Sequence, residues 1–402
     1  MIYFRGYGDE SPKKIFDKEV NVMMSPKIRL TLLLHFYQPW WQFPGTLATV
    51  VERCYMPIFK WLSRHQGFAF SANISWSLLE LLEKNGYDEL IALMRDAVET
   101  EKIELLGTDA YHSILPCITD IHIARQIAKD REGKRSVGLP PHTVPGFYLP
   151  EYAYERRILY PLQCAGYKFT VADDALFAAQ HGKVPFDWIP TVDDFRVFLR
   201  SRNWGNIVSY QDQNFNAFRK DFEENVAKWF GEKTGYVVIA TDAETFGYHW
   251  ENLIRWLLVP MVENWRAGSR VELCPFSELA RSFPAREATV PPGSWSTETS
   301  DAAKGDWFPL WNSRFNIFHE KLWRLVNLAL EFADDPVVRC DALKTTSSCQ
   351  WWWVSGRNGN WKPEFMMLGA YKALEIVERA GNENAKAEAR HIITDIKRIL
   401  HI

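Results

Sequence analysis

Cysteine is scarce and scattered in this chain: six in 402 residues, at Cys54, Cys117, Cys164, Cys274, Cys340 and Cys349, with no C-x-x-C pair. That excludes the dense disulfide framework of a small secreted scaffold and fits a reducing compartment. A basic field is missing too. With 47 Lys and Arg against 50 Asp and Glu the formal charge is −3, and no Lys- or Arg-rich run occurs, so nucleic acid is not an expected partner. No apolar run approaches a membrane span, and the opening residues MIYFRGYGDESPKKIF lack an apolar leader core. A soluble, cytoplasmic protein with no membrane partner is the expectation. No internal repeat is apparent.

What the chain does have is aromatic side chains: 18 Trp, 15 Tyr and 25 Phe make 14% of it, and many stand beside turn residues instead of inside apolar runs. Such rings serve either a large core or a polar cleft in which sugar faces pack on them. Trp351-Trp352-Trp353 sit outside any long helical repeat, and for them, as for Trp40 and Trp250, both roles stay open.

Seven short apolar runs alternate with amphipathic helical stretches: residues 29–35, 68–74, 103–107, 144–150, 169–173, 195–200 and 236–240. This is the β-α alternation of a parallel sheet, and seven units over this length point to a closed (β/α)7 barrel over residues 25–283. Local order alone does not separate it from an open doubly wound sheet. Residues 1–24 read as an N-terminal extension. Past residue 284 comes a Pro-, Gly- and Ser-containing segment without periodicity, followed by three helical patterns, so 284–402 reads as a linker and a C-terminal helical domain.

Chemistry in such a barrel sits where strands end, and there the runs turn polar: His35, Asp109 and His112, Glu151, Asp173, Arg200, and Asp242 with Glu244. Carboxylates held at the ends of buried strands can have their acidity moved. Glu151 in GFYLPEYAY and Asp242 in VIATDAE occupy such positions, and two carboxylates facing one cleft suit glycoside cleavage. An N-terminal helix cap for Asp242 and a dipole partner for Glu151 are the structural alternatives.

Four stretches in order, HFYQPWW, GTDAYHSILP, GFYLPEYAY and TDAETFGYHW, with a fifth candidate at SSCQWWW, resemble the conserved regions of glycoside hydrolase family fifty-seven. The resemblance implies a retaining α-glycosidase or α-glucanotransferase on a (β/α)7 barrel closed by a helical domain, acting on α-glucan or maltooligosaccharide with no metal cofactor. Glu151 matches the nucleophile and Asp242 the general acid/base. His35, Gln38, His112, Glu244 and His249 match positions that line or support the site. Tyr37 stands where the motif often has a second histidine; it donates a hydrogen bond but carries no positive charge. Two alternatives remain: a catalytically silent glucan-binding homologue, and a metal-dependent deacetylase or mannosidase on a related barrel. The latter needs H-x-D or H-x-x-x-H ligand spacing, which is absent around His35.

Overall fold

A computed structural model describes residues 27–266, 269–357 and 359–401; the expected extension at 1–24 lies outside the described residues. Ten strands join one sheet: β1 (Ile28–Phe36), β2 (Phe70–Ile74), β3 (Ile103–Leu106), β4 (Gly146–Phe147), β5 (Phe169–Asp173), β6 (Ile189–Val192), β7 (Phe195–Arg200), β8 (Gly235–Asp242), β9 (Val271–Leu273) and β10 (Ala285–Glu287). All seven apolar runs contain a strand. β1 and β8 are buried along almost their whole length, as parallel strands covered on both faces require.

The seven strands close. β1 pairs in parallel with β2 and β8, β2 with β3, β4 with β5, β5 with β7, and β7 with β8. The seam between β3 and β4 is made by Gly107, whose N–H donates to Gly146 O at 2.9 Å and whose carbonyl accepts from Tyr148 N at 2.8 Å. Both seam glycines are forced by space. A Cβ on Gly107 would stand 2.2 Å from the Tyr167 hydroxyl, and one on Gly146 would stand 2.1 Å from the Phe169 ring. β4 is only two residues long because Pro145 and Pro150 flank it and offer no N–H to a ladder.

Three strands lie outside the ring. β9 pairs with the first half of β1 while β2 pairs with its second half, so β9 fills the wedge opened by a distorted barrel. β6 turns back on β7 through Asp193 and Asp194, both with positive φ, as a two-residue type I′ hairpin demands. β10, in the segment read as linker, then adds to β6 in parallel.

The helical part is built on Ile317–Leu330, Pro363–Ala380 and Glu383–Leu400. Its buried face merges with Ile114, Phe147, Leu149 and Val197 of the barrel side in one core, so the two parts share apolar packing. Buried polar contacts join them as well: Ser113 pairs with Ser347 in a short antiparallel bridge, and the Ser113 and Thr346 hydroxyls stand 2.6 Å apart. No helix among the described residues is long and apolar enough to cross a membrane.

Candidate active site

The C-terminal strand ends open into a cavity of about 640 Å³. β1 delivers His35, Tyr37 and Gln38, the loop after β3 delivers His112, and the turn after β4 delivers Glu151. β7 ends in Arg200, and β8 ends in Asp242, with Glu244 and His249 following. All of these line the cavity. Register explains one pairing directly, because His35 and Asp242 are opposite each other across β1 and β8.

Glu151 is the most constrained. Its backbone and that of Tyr152 have φ of 58° and 51°, the left-handed region that side chains with a Cβ rarely enter. Two consecutive residues there aim the carboxyl inward. Trp295 Nε1 donates to Oε2 at 2.6 Å and the Ser348 hydroxyl to Oε1 at 3.3 Å. Burial pushes this carboxyl up to about 7; the Trp295 bond opposes the rise, the Asp242 charge adds to it, and the Ser348 bond opposes it. Asp242 differs, being exposed to the cavity.

Glu244 is buried beneath Asp242. Its Oε1 accepts from Gln38 Nε2 at 2.6 Å and from the Tyr55 hydroxyl. Burial and then the Asp242 charge raise it to about 8. Four rings form a stack along the wall: Tyr148 lies 4.5 Å from His35, His35 4.8 Å from His112, and His112 4.1 Å from Tyr37. Burial holds both imidazoles below their usual range, and the Nε2 atoms of both are buried with no hydrogen-bond partner among the described residues. Nδ1 of His35 faces Asn73 Oδ1 at 3.0 Å and Nδ1 of His112 faces Ser348 Oγ at 2.8 Å. Neutral rings fixed at one nitrogen leave the other free for a hydroxyl. Tyr37 reaches the other way, its hydroxyl 3.0 Å from Ser347 Oγ.

The tryptophans divide. Trp352 and Trp353 line the cavity, with Lys362 lying 4.7 Å over the Trp353 ring. Trp351 does not: it is fully buried in the helical core, stacked on Trp323 at 4.0 Å, because successive side chains of a helical turn point in different directions. Trp40 packs against the barrel core and under Lys372, and Trp250 donates to Ser209 O at 2.9 Å; neither lines the cavity. Trp41, for which packing and sugar stacking are equally open in the sequence, does line the cavity, and sequence reasoning missed Tyr148, Trp295, Ser348 and Cys349. Among the described residues no group of three or more His, Cys, Asp or Glu side chains is placed to hold a metal ion.

A closed barrel with two carboxyls, Glu151 and Asp242, lining one strand-end cavity has the kind of site that glycoside cleavage uses. The chain belongs to glycosyl hydrolase family 57, whose model matches residues 11–291. It is similar to an α-amylase of Pyrococcus horikoshii, with 26% identity over 152 residues, 38% of this chain and 23% of that protein. An α-amylase 1 of Dictyoglomus thermophilum is 29% identical over 160 residues, 38% of this chain and 22% of that protein. The matched stretch thus spans less than a quarter of either relative. In fold it resembles a 4-α-glucanotransferase from Thermococcus litoralis, at a TM-score of 0.69 and 17% identity, covering 88% of this chain and 60% of that one. A branching enzyme of Pyrococcus horikoshii aligns at 0.65 and 17%, covering 93% and 95%. An α-amylase of Thermotoga maritima aligns at 0.65 and 14%, covering 94% and 98%.

Proposed function

We propose that the protein is a retaining enzyme that cleaves α-1,4-linked glucan or maltooligosaccharide by double displacement. The observation that carries the reading is the contrast between two carboxyls lining one cavity. Glu151 is clamped at both oxygens, whereas Asp242 faces open cavity. A nucleophile must be held still, and an acid/base must reach the leaving oxygen and then the incoming acceptor. A Glu151 oxygen attacks the anomeric carbon as the bond to the departing sugar breaks, and Asp242 gives that oxygen its proton. Water or a sugar hydroxyl then attacks the same carbon, Asp242 takes its proton, and Glu151 is released.

Neutral His35 and His112, with free Nε2 atoms, stand ready for hydroxyls of the sugar held against Glu151. Trp352 and Trp353 line the same cavity with their rings. The α-glucan assignment is supported by family membership and by the relatives' names, amylase, glucanotransferase and branching enzyme. Incubation with maltoheptaose followed by product separation tests it. Shorter products alone mean hydrolysis, longer and shorter together mean transfer, and unchanged maltoheptaose overturns the proposal in favour of a protein that at most binds glucan.

A further inference from the structure

Of the two cavity-lining side chains with a fixed positive charge, Lys362 is exposed whereas Arg200 is only 5% exposed. The setting of Arg200 is built. Its guanidinium lies 4.8 Å from the ring of Tyr152, the residue after Glu151. On another side Gly205 gives it room, since a Cβ there would stand 2.7 Å from Nη2. Its neighbouring carboxylate is Asp173, whose Oδ2 is 3.7 Å from Nε, beyond hydrogen-bond length, and whose Oδ1 is already taken by Arg202. Nε is buried and has no hydrogen-bond partner among the described residues, and the facing Asp173 Oδ2 is likewise buried and unpaired, so the guanidinium is held as an ion pair without a hydrogen bond. A cavity-lining guanidinium whose donors are left without hydrogen bonds among the described residues gains from a group that supplies acceptor oxygens.

The acceptor's chemistry follows from the surroundings. Glu151, Asp242 and Glu244 already line this cavity and Glu151 must ionise to act, so a carboxylated sugar would disfavour the reactive form. A neutral pair of adjacent hydroxyls suits the planar fork of a guanidinium without that penalty. Resting on the double-displacement reading above, we infer that Arg200 is a specificity-determining residue that grips vicinal hydroxyls of the sugar ring standing against Glu151.

The test uses α-maltosyl fluoride, whose fluorine-bearing ring must lie against the nucleophile, with analogues lacking the 2-, 3- or 6-hydroxyl of that ring. Arg200→Met is expected to lower kcat/KM on the parent compound roughly 10- to 100-fold, the range for a charged hydrogen bond lost from a buried site. For the analogue that lacks a gripped hydroxyl, wild type and variant should converge. Arg200→Lys keeps the charge and loses the fork, and should fall between them. An equal loss on every analogue would mark a purely structural role and overturn the inference, as would no loss at all. If the wild type releases no fluoride, the double-displacement reading fails by itself, and calorimetric binding of maltoheptaose then decides: weaker binding by Arg200→Met supports the grip, while equal affinity, or no binding to either protein, overturns it.

Discussion

Opposed forces meet at Glu151, where burial raises the carboxyl to about 7 and two donors from elsewhere in the chain resist the rise. Glu151→Gln and Asp242→Asn keep shape and remove ionisation, so each is expected to lower turnover on maltoheptaose by on the order of 10³-fold or more with an unchanged circular dichroism spectrum. As a nucleophile Glu151 acts deprotonated, so kcat/KM should rise with pH through about 7. Trp295→Phe removes the donor to Oε2 and favours the protonated acid. The rise should then move to higher pH, costing roughly tenfold more activity at pH 6 than at pH 9; a pH–rate profile of unchanged midpoint would refute this. His35, Glu151 and Asp242 were legible because each ends an apolar run. Trp295 and Ser348 were not, because they meet Glu151 from 144 and 197 residues downstream and belong to no periodic pattern.

At the scale of elements, the strands were legible where apolar residues run unbroken and obscure where local chemistry interrupts them. β6 contains Pro190, which argues against a strand, yet it is tolerated because the bonds to β10 are made by Ile189 N and the Thr191 carbonyl on either side of it. The closure at Gly107 and Gly146 depends on Tyr167 and Phe169, which no local pattern connects to them. The Trp triplet shows the same limit: the resemblance placed it near the site, but only the helical turn Cys349–Trp352 decides which ring goes where. Trp351→Ala should therefore destabilise the protein by about 3 to 5 kcal/mol, the cost of emptying a large ring from a core, measured by urea unfolding. Trp353→Ala should leave the urea midpoint nearly unchanged and weaken maltoheptaose binding by about 1 to 3 kcal/mol. If the two variants exchanged behaviour, the placement of the rings would be wrong.

Over the whole molecule, closing the barrel with helices buries acidic groups that an open bowl would leave in water. Asp109 is pushed up to about 7 by burial, against the bond from Ser113 N; Glu151 reaches about 7 and Glu244 about 8. Each folded value lies above its unfolded one, so near neutrality the folded state holds more protons than the unfolded chain. Stability therefore falls as pH rises through these values. Buried His35, His112 and His319 are shifted the opposite way, below their ordinary 6.5, so their stability is lost as pH falls through that value. The buried thiols and phenols, raised above 9, act only in stronger alkali. Between pH 6.5 and 8 the carboxyl titrations, which lower stability, outweigh the tail of the histidine titrations, which raises it. Integrating both sets gives a net loss of about 1 to 2 kcal/mol across that window. Urea midpoints at pH 6.5 and 8 should show it, and the double variant Asp109→Asn, Glu244→Gln, which retains both hydrogen-bonding shapes and removes two of the three titrations, should abolish the fall. A wild-type midpoint that is level or rising across the window would mean that these carboxyls are ionised in the folded protein, and that the cavity holds them as charges instead of as neutral acids.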